Sequence, residues 1–145
     1  MEVIMSELIS SLLANKELVM VQSNVSVFDV ANLMASNRIG AVIVKDEDNL
    51  LGLISERDVT RKVVSQGLDL HATKAYDILF SDVTILSPHD TLEKAMQVIT
   101  STRRRHVLIK DKGEIISILS TGDLMKHLLD EKSNTIEHLQ QYIYS

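Results

Sequence analysis

The chain contains no cysteine and no tryptophan, and it has one proline and five glycines among 145 residues. The absence of cysteine excludes disulfide bonds, thiolate metal sites and a cysteine nucleophile, and it fits a reducing compartment. Because aromatic residues make up only 3% of the chain, the hydrophobic core must be aliphatic. With 45% hydrophobic and 24% charged residues, the composition is that of an ordered globular protein, either one domain or two small ones sharing a core.

Long apolar runs and an excess of positive charge are also missing. No run approaches the roughly 18 residues that a membrane-spanning helix needs, and the stretch from Met1 to Leu8 lacks the basic start of a signal peptide. The net charge is −5 at pH 7, which argues against binding to a phosphate backbone. We therefore expect a cytoplasmic, unprocessed protein that binds neither nucleic acid nor membrane.

One short motif occurs twice. Gly52–Asp58, with the sequence Gly-Leu-Ile-Ser-Glu-Arg-Asp, returns 65 positions later as Ser-Ile-Leu-Ser-Thr-Gly-Asp over Ser117–Asp123. The branched apolar residues suit a buried strand, and Ser-x-x-Asp is typical of a helix start. The motif thus predicts a strand-to-helix turn whose free N–H groups and helix dipole favour an anion such as phosphate. Helix capping alone is the alternative role for both serines and both aspartates.

The same 65-position shift aligns residues 18–59 with 83–124 without a gap. Apolar spacing in each copy predicts strand–helix–strand–strand–helix, which makes the fold class α/β (α+β) with an internal duplication. The predicted boundaries are 7–67 for the first repeat, preceded by an amphipathic helix from residue 1, then 68–74 for a connector. Residues 75–130 form the second repeat and 131–145 a C-terminal helix.

The motifs of both copies resemble those of a tandem pair of CBS domains, also called a Bateman module. The resemblance covers roughly residues 7 to 130 and is carried by Arg38–Val44 and Gly52–Asp58 in the first copy and, in the second, by Tyr76–Leu79, Asp82–Pro88, Thr91–Ala95, Arg105–Ile109 and Leu119–Leu124. This chain departs from the family pattern at Leu108, where proline is common, and at Ser117, where the first copy has glycine. Gly122 also stands where the first copy has Arg57, so the two sites should differ.

The resemblance implies two repeats packed through their sheets with pseudo-two-fold symmetry. The clefts between them would bind an adenosine-containing ligand such as AMP, ADP, ATP, NAD or S-adenosylmethionine. By the same resemblance Asp58 and Asp123 would hold the ribose, and Ser55 and Ser120 would lie at the phosphate. The remaining candidate contacts are Ile39, Ala41, Thr84, Ile85 and His106 for adenine, with Arg57, Arg105 and Thr121 beside the turns. A regulatory homodimer acting on an unidentified target protein is implied.

Several alternatives remain open. The basic run before His106 is compatible with a polyphosphate clamp or with a solvated helix end, and Arg57 with a surface ion pair. The five histidines show no metal-ligand spacing, so no metal or cofactor is expected. No Gly-rich phosphate loop or catalytic triad pattern is present, so we expect no enzymatic activity. The alternative function is a dimeric interaction scaffold with no bound nucleotide.

Overall fold

The computed structural model describes residues 7–13, 18–102 and 104–130. The chain divides into two compact units. The first unit is Glu17–Val83, and the second unit combines Met1–Lys16 with Thr84–Ser145. Both are mixed α+β units with a three-stranded sheet, as the sequence predicted.

The described residues of the first unit form three strands and three helices. They are β1 (Met20–Gln22), α1 (Val27–Asn37), β2 (Ala41–Asp46), β3 (Asn49–Ser55), α2 (residues 56–64) and α3 (Ala75–Ile78). Helix α2 begins as an α-helical turn, Glu56–Asp58, and continues as the π-helical segment Val59–Val64. The sheet order is β1-β2-β3, with β1 parallel and β3 antiparallel to β2. The predicted hairpin is confirmed.

Local sequence explains where α1 begins and ends. The spacing of Ser26 and Asp29 predicts a helix cap, and the Ser26 hydroxyl accepts a hydrogen bond from the Asp29 N–H at 3.2 Å, which confirms that Ser26 caps the helix. The helix ends at Asn37, and the left-handed backbone of Arg38 (φ 54°) turns the chain so that the Ile39 N–H donates to the Met34 carbonyl at 3.1 Å. The face formed by Val27, Val30 and Met34 is buried in an aliphatic core.

The second unit repeats this order. It contains a 3-10 turn (Ile9–Leu12), β4 (Ile85–Leu86), α4 (Leu92–Thr102), β5 (His106–Asp111), β6 (Glu114–Ser120) and a helix, α5, described over residues 121–130. The duplication extends to irregular features. The β2/β3 register shifts between Val44 and Lys45, and the β5/β6 register shifts between Ile109 and Lys110, 65 positions later.

The compact units differ from the predicted repeat boundaries at their ends. Ile9, predicted to belong to the first repeat, is fully buried in the core of the second unit. Ala75 and Ile78, predicted to open the second repeat, are buried in the core of the first unit. The described part of the predicted N-terminal helix is the 3-10 turn, not an α-helix. Its first six residues and the predicted C-terminal helix lie outside the described residues.

No helix in the described ranges is both long enough and apolar enough to cross a membrane.

Candidate functional site

The acidic turn of the first unit is a complete capping box. The Ser55 N–H and hydroxyl both donate to Asp58 Oδ2, at 2.8 and 2.9 Å. The Asp58 N–H donates in return to Ser55 Oγ at 3.3 Å. The Ser-x-x-Asp spacing folds this way because it brings the serine hydroxyl and the carboxylate to the exposed N–H groups of a helix start.

The acidic turn of the second unit is built from the same bonds with one difference. The Ser120 N–H donates to Asp123 Oδ2 at 2.9 Å, and the Asp123 N–H donates to Ser120 Oγ at 3.0 Å. The Ser55 hydroxyl donates to Asp58, but in the described structure the Ser120 hydroxyl makes no equivalent bond to Asp123. Capping is therefore a structural role of both turns.

The turns offer fewer N–H groups to an anion than the sequence predicted. The N–H of Glu56 donates to the Gly40 carbonyl at 3.0 Å, and that of Thr121 donates to the Arg105 carbonyl at 2.9 Å. These bonds and the capping bonds together account for every backbone N–H of the two described turns except one in each turn. The exceptions are the N–H groups of Arg57 and Gly122. Backbone groups alone therefore make a weak case for phosphate binding.

In the first unit, strand pairing brings the predicted residues to one end of the sheet. Ala41 pairs with Ser55 across β2 and β3, and Ile39 precedes β2 by two positions. Ala41 is buried, whereas Ser55, Arg57 and Ile39 are half-buried.

In the second unit, the predicted residues also converge. His106 pairs with Ser120 across β5 and β6, while the Arg105 carbonyl accepts from Thr121. On the other side of β5, Ile85 pairs with Leu108, and the Thr84 carbonyl accepts from the Leu108 N–H at 3.0 Å. Ile85 is 43% exposed, an unusual degree for an isoleucine in a strand.

The carboxylates of the two turns have different surroundings. Asp58 is only 8% exposed, and its Oδ1 lies 3.4 Å from the ammonium of Lys62, one helical turn further on. Lys62 also donates to the Ile78 carbonyl at 2.9 Å. Asp123 is half-buried and lines a cavity of about 270 Å³ in the second unit.

Lys62 and His127 were missed by the sequence analysis. His127 stands 65 positions after Lys62, at the same place relative to Asp123. Its Nε2 lies 2.7 Å from Glu7 Oε2 in the N-terminal segment. The signal was present in the sequence, because the same 65-position shift, continued beyond the aligned residues, sets a histidine against a lysine four residues after each aspartate.

Several polar groups surround the cavity beside Asp123. It is lined by Ser11 and Leu12, by Ser117–Leu119 on β6, and by Asp123, Lys126, His127 and Asp130 on α5. Of the predicted site residues, Asp123 alone lines it. Within the described residues, no group of three or more His, Asp or Glu side chains is placed to hold a metal ion.

Comparison with known proteins identifies the class. The model of the CBS domain family matches the chain twice, over residues 9–65 and 75–130. The chain therefore belongs to the CBS-domain family and carries a tandem pair of its domains.

Three CBS-domain proteins illustrate the similarity of this chain to the family. The mitochondrial CBS domain-containing protein CBSX3 of Arabidopsis thaliana is 33% identical over 124 residues, which cover 81% of this chain and 60% of that protein. A structure with CBS domains from Burkholderia ambifaria is 32% identical with a TM-score of 0.81, covering 86% of this chain and 95% of that one. A CBS domain protein from Pyrobaculum aerophilum, complexed with AMP, is 30% identical with a TM-score of 0.73, covering 81% and 89%.

Proposed function

We propose that this chain is a regulatory module that senses an adenosine-containing ligand, one of AMP, ADP, ATP, NAD or S-adenosylmethionine, and signals by a change of conformation. The observation that carries the proposal is the pair of Ser-x-x-Asp turns within two matched CBS domains. The AMP complex of the Pyrobaculum relative supports the ligand class. We propose binding without catalysis.

The proposed roles follow from the chemistry of each group. A ribose presents two vicinal hydroxyl donors, and an ionised carboxylate accepts several hydrogen bonds. The bond from the Ser120 N–H to Oδ2 fixes the orientation of the Asp123 side chain at the turn, and we assign the contact with the ribose hydroxyls to this carboxylate. Arg105, His106 and Thr121 adjoin this turn and are proposed to contact the rest of the ligand.

Equilibrium binding tests the proposal. Isothermal titration with AMP should give saturable heat, and AMP should raise the melting temperature because it binds the folded state selectively. Asp123→Asn should weaken binding by about tenfold or more, since a hydrogen bond to a charged group contributes about 1.5–3 kcal/mol. Asp111→Asn, at the far end of β5, removes the same charge from the same unit and should leave the affinity unchanged.

The proposal fails if none of the five ligands binds at millimolar concentration or alters the melting temperature. It also fails in its assignment of Asp123 if Asp123→Asn and Asp111→Asn behave alike. An isolated change in thermal stability without a change in affinity would leave Asp123 only its capping role.

A second proposal concerns self-association. Val64 and Leu129 occupy the same position of the two repeats, 65 residues apart, and they are 60% and 57% exposed. Matched apolar side chains exposed on both helices favour an interface with a second copy of the chain. We propose that the module is a homodimer, a state compatible both with nucleotide sensing and with the alternative role as a scaffold for a target protein.

A further inference from the structure

We infer that residues 7–13 form a strap that opens and closes on the second unit, and that its movement is the change of conformation by which ligand occupancy is signalled. The contact between His127 and Glu7 holds the strap closed. This inference deepens the proposed function, and its signalling part rests on that function.

The strap has a counterpart in the first unit, residues 73–79, which lies 66 positions further along the chain. The same backbone hydrogen bonds hold both segments. In the second unit they join the Ile9 N–H to the Asp90 carbonyl at 2.8 Å and the Leu92 N–H to the Glu7 carbonyl at 2.9 Å, and in the first unit the Ala75 N–H to the Val25 carbonyl and the Val27 N–H to the Thr73 carbonyl, both at 2.8 Å. Each segment therefore completes its unit in the same way, and the two can be compared directly.

The counterpart is packed closely against the first unit. A Cβ added at Gly52 would lie 3.2 Å from Leu79 Cδ1 and 2.0 Å from the Phe80 carbonyl oxygen. The Lys62 ammonium also donates to the Ile78 carbonyl at 2.9 Å, and Ile78 is 3% exposed. Opening the counterpart would therefore disrupt tight backbone packing as well as a hydrogen bond from α2.

The strap is packed less closely. A cavity of about 270 Å³ is lined by Ser11 and Leu12 of the strap and by Ser117 and Ile118 of β6. Ser117 stands at the position that Gly52 occupies in the first repeat. Because atoms beside a cavity lack part of their packing contacts, the strap loses less packing on opening than its counterpart does.

His127 holds the strap to α5. Its Nε2 lies 2.7 Å from Glu7 Oε2, and the two side chains are only 20% and 30% exposed. The Glu7 carbonyl accepts the bond from the Leu92 N–H, so the side-chain contact and the backbone bond break together when the strap opens. Ile9 is fully buried in the core of the second unit, which makes the closed strap the predominant state.

Closure of the strap is coupled to the ligand through the shared cavity. Asp123 lines the same cavity as Ser11 and Leu12. A ligand that contacts both α5 and the strap binds the closed state more tightly than the open state, and it shifts the equilibrium by that difference in affinity. Occupancy at the second repeat is thereby converted into a smaller population of the open strap.

Native-state hydrogen exchange of the ligand-free full chain tests the strap. The amides of Ile9 and Leu92 report on its opening, and those of Ala75 and Val27 report on the counterpart. We expect the first pair to have protection factors lower by about tenfold or more, because a segment that opens locally exchanges faster than one that opens with its core. Glu7→Gln and His127→Leu should each lower the protection of the first pair by about a further tenfold, as expected for loss of a hydrogen bond to a charged group.

Two variants serve as controls. Glu114→Gln removes the same charge from the second unit at the start of β6, where the side chain is exposed, and it should leave all four amides unchanged. Lys62→Met should have the opposite selectivity, because Lys62 bonds to the counterpart. It should lower the protection of Ala75 and Val27 and leave that of Ile9 and Leu92 unchanged.

Two results without ligand would overturn the inference. If Ile9 and Leu92 are protected as well as Ala75 and Val27, or exchange only with the urea dependence of global unfolding, the strap does not open by itself. If Glu7→Gln and Glu114→Gln behave alike, the contact with His127 does not hold the strap.

Exchange in the presence of AMP separates this inference from the proposed function. Saturating AMP should raise the protection of Ile9 and Leu92 by about tenfold or more, since a ligand selective for the closed state stabilises it by mass action. If AMP binds and these two amides do not respond, the strap does not signal occupancy, although the proposed function stands. If none of the five ligands binds, the proposed function is wrong and the signalling part falls with it, whereas the exchange of the ligand-free chain still decides whether the strap opens.

Discussion

At the scale of single residues, Gly52 shows how close backbone approach limits sequence choice. Leu53 and Phe80 exchange two backbone hydrogen bonds, of 3.0 and 2.9 Å. A Cβ added at Gly52 would lie 2.0 Å from the Phe80 carbonyl oxygen, so only glycine fits while these bonds are made. The second repeat has Ser117 at this position.

Gly52→Ala should therefore destabilise the protein. Because the alanine Cβ would overlap a backbone oxygen, the overlap is relieved only if the backbone of Phe80 moves away and its hydrogen bonds with Leu53 break. We expect a loss of about 1–3 kcal/mol in the free energy of unfolding, as for other overpacked sites. Urea denaturation at pH 7 measures the change.

Gly122→Ala is the control for Gly52→Ala. The nearest heavy atom to a Cβ at Gly122 would be Ser120 Oγ at 3.5 Å, an ordinary van der Waals contact. This variant should be neutral or slightly stabilising, because alanine lowers the entropy of the unfolded chain. Equal loss in both variants would mean that the cost reflects loss of glycine, not contact with Phe80.

At the scale of elements, the turn before α4 fixes the N-terminal segment to the second unit. The N–H of Ile9 donates to the Asp90 carbonyl at 2.8 Å, and the N–H of Leu92 donates to the Glu7 carbonyl at 2.9 Å. The turn is stabilised from within by the Ser87 N–H, which donates to Asp90 Oδ2 at 2.7 Å. This bond, with a smaller contribution from Lys94, lowers the pKa of Asp90 below its ordinary value.

The lowered pKa predicts loss of stability in acid. Because the pKa of Asp90 is lower in the folded than in the unfolded state, ionised Asp90 stabilises the fold fully above the unfolded value of about 3.9. That contribution is lost as the pH falls through the folded value. Asp90→Asn should melt at a lower temperature than wild type at pH 7, and the difference should shrink towards zero below the folded pKa.

Melting curves between pH 7 and pH 2 check this prediction against Asp111→Asn. The control removes one carboxylate from the same unit without touching the Ser87 turn. A gap between Asp90→Asn and wild type that stays constant across the range would show that the effect is steric and does not depend on ionisation.

Sequence periodicity predicted elements better than it predicted their partners. The apolar face of α1, its Ser26 cap and the two hairpins followed from local spacing, because those signals depend on neighbouring residues. The packing of Ile9 into the second unit and of Ile78 into the first did not follow. An apolar pattern shows that a segment has a buried face, but it does not specify which of two similar cores receives it.

The candidate site was predictable to a similar degree. The repeat alignment identified Asp58 and Asp123, and both stand at capped turns. Their unequal surroundings depend on Lys62 reaching the carbonyl of Ile78 and on His127 reaching Glu7. Both are contacts between segments that lie far apart in the sequence, which a single sequence without its fold does not reveal.

At the scale of the whole molecule, exposed apolar positions correct one prediction and motivate another. Apolar spacing in the closing helices, with Val59, Val63 and Val64 in one copy and Leu124, Leu128 and Leu129 in the other, predicts that Val64 and Leu129 face the core, but both are exposed. The helices bury Val59 and Val63 in one case and Leu124 in the other. Val64 directly follows the fully buried Val63, but its side chain leaves the helix in another direction and is 60% exposed. Met125, one turn before Leu129, is also 48% exposed.

These positions predict a dimer that charge can disrupt. Burying a leucine or valine side chain at an interface contributes about 1.5–3 kcal/mol to the free energy of association. In a symmetric dimer each contact occurs twice, so this contribution is doubled. Light scattering after size exclusion should give twice the chain mass of 16.2 kDa for wild type and a single chain mass for Val64→Glu combined with Leu129→Glu. Tyr76→Ser, which removes a 56% exposed side chain from α3, should stay dimeric, because an unrelated exposed residue does not define the interface. A monomeric wild type would contradict the proposed dimer. A double variant that remains a dimer with an unchanged melting temperature would show that Val64 and Leu129 face solvent and that the chains associate through another face.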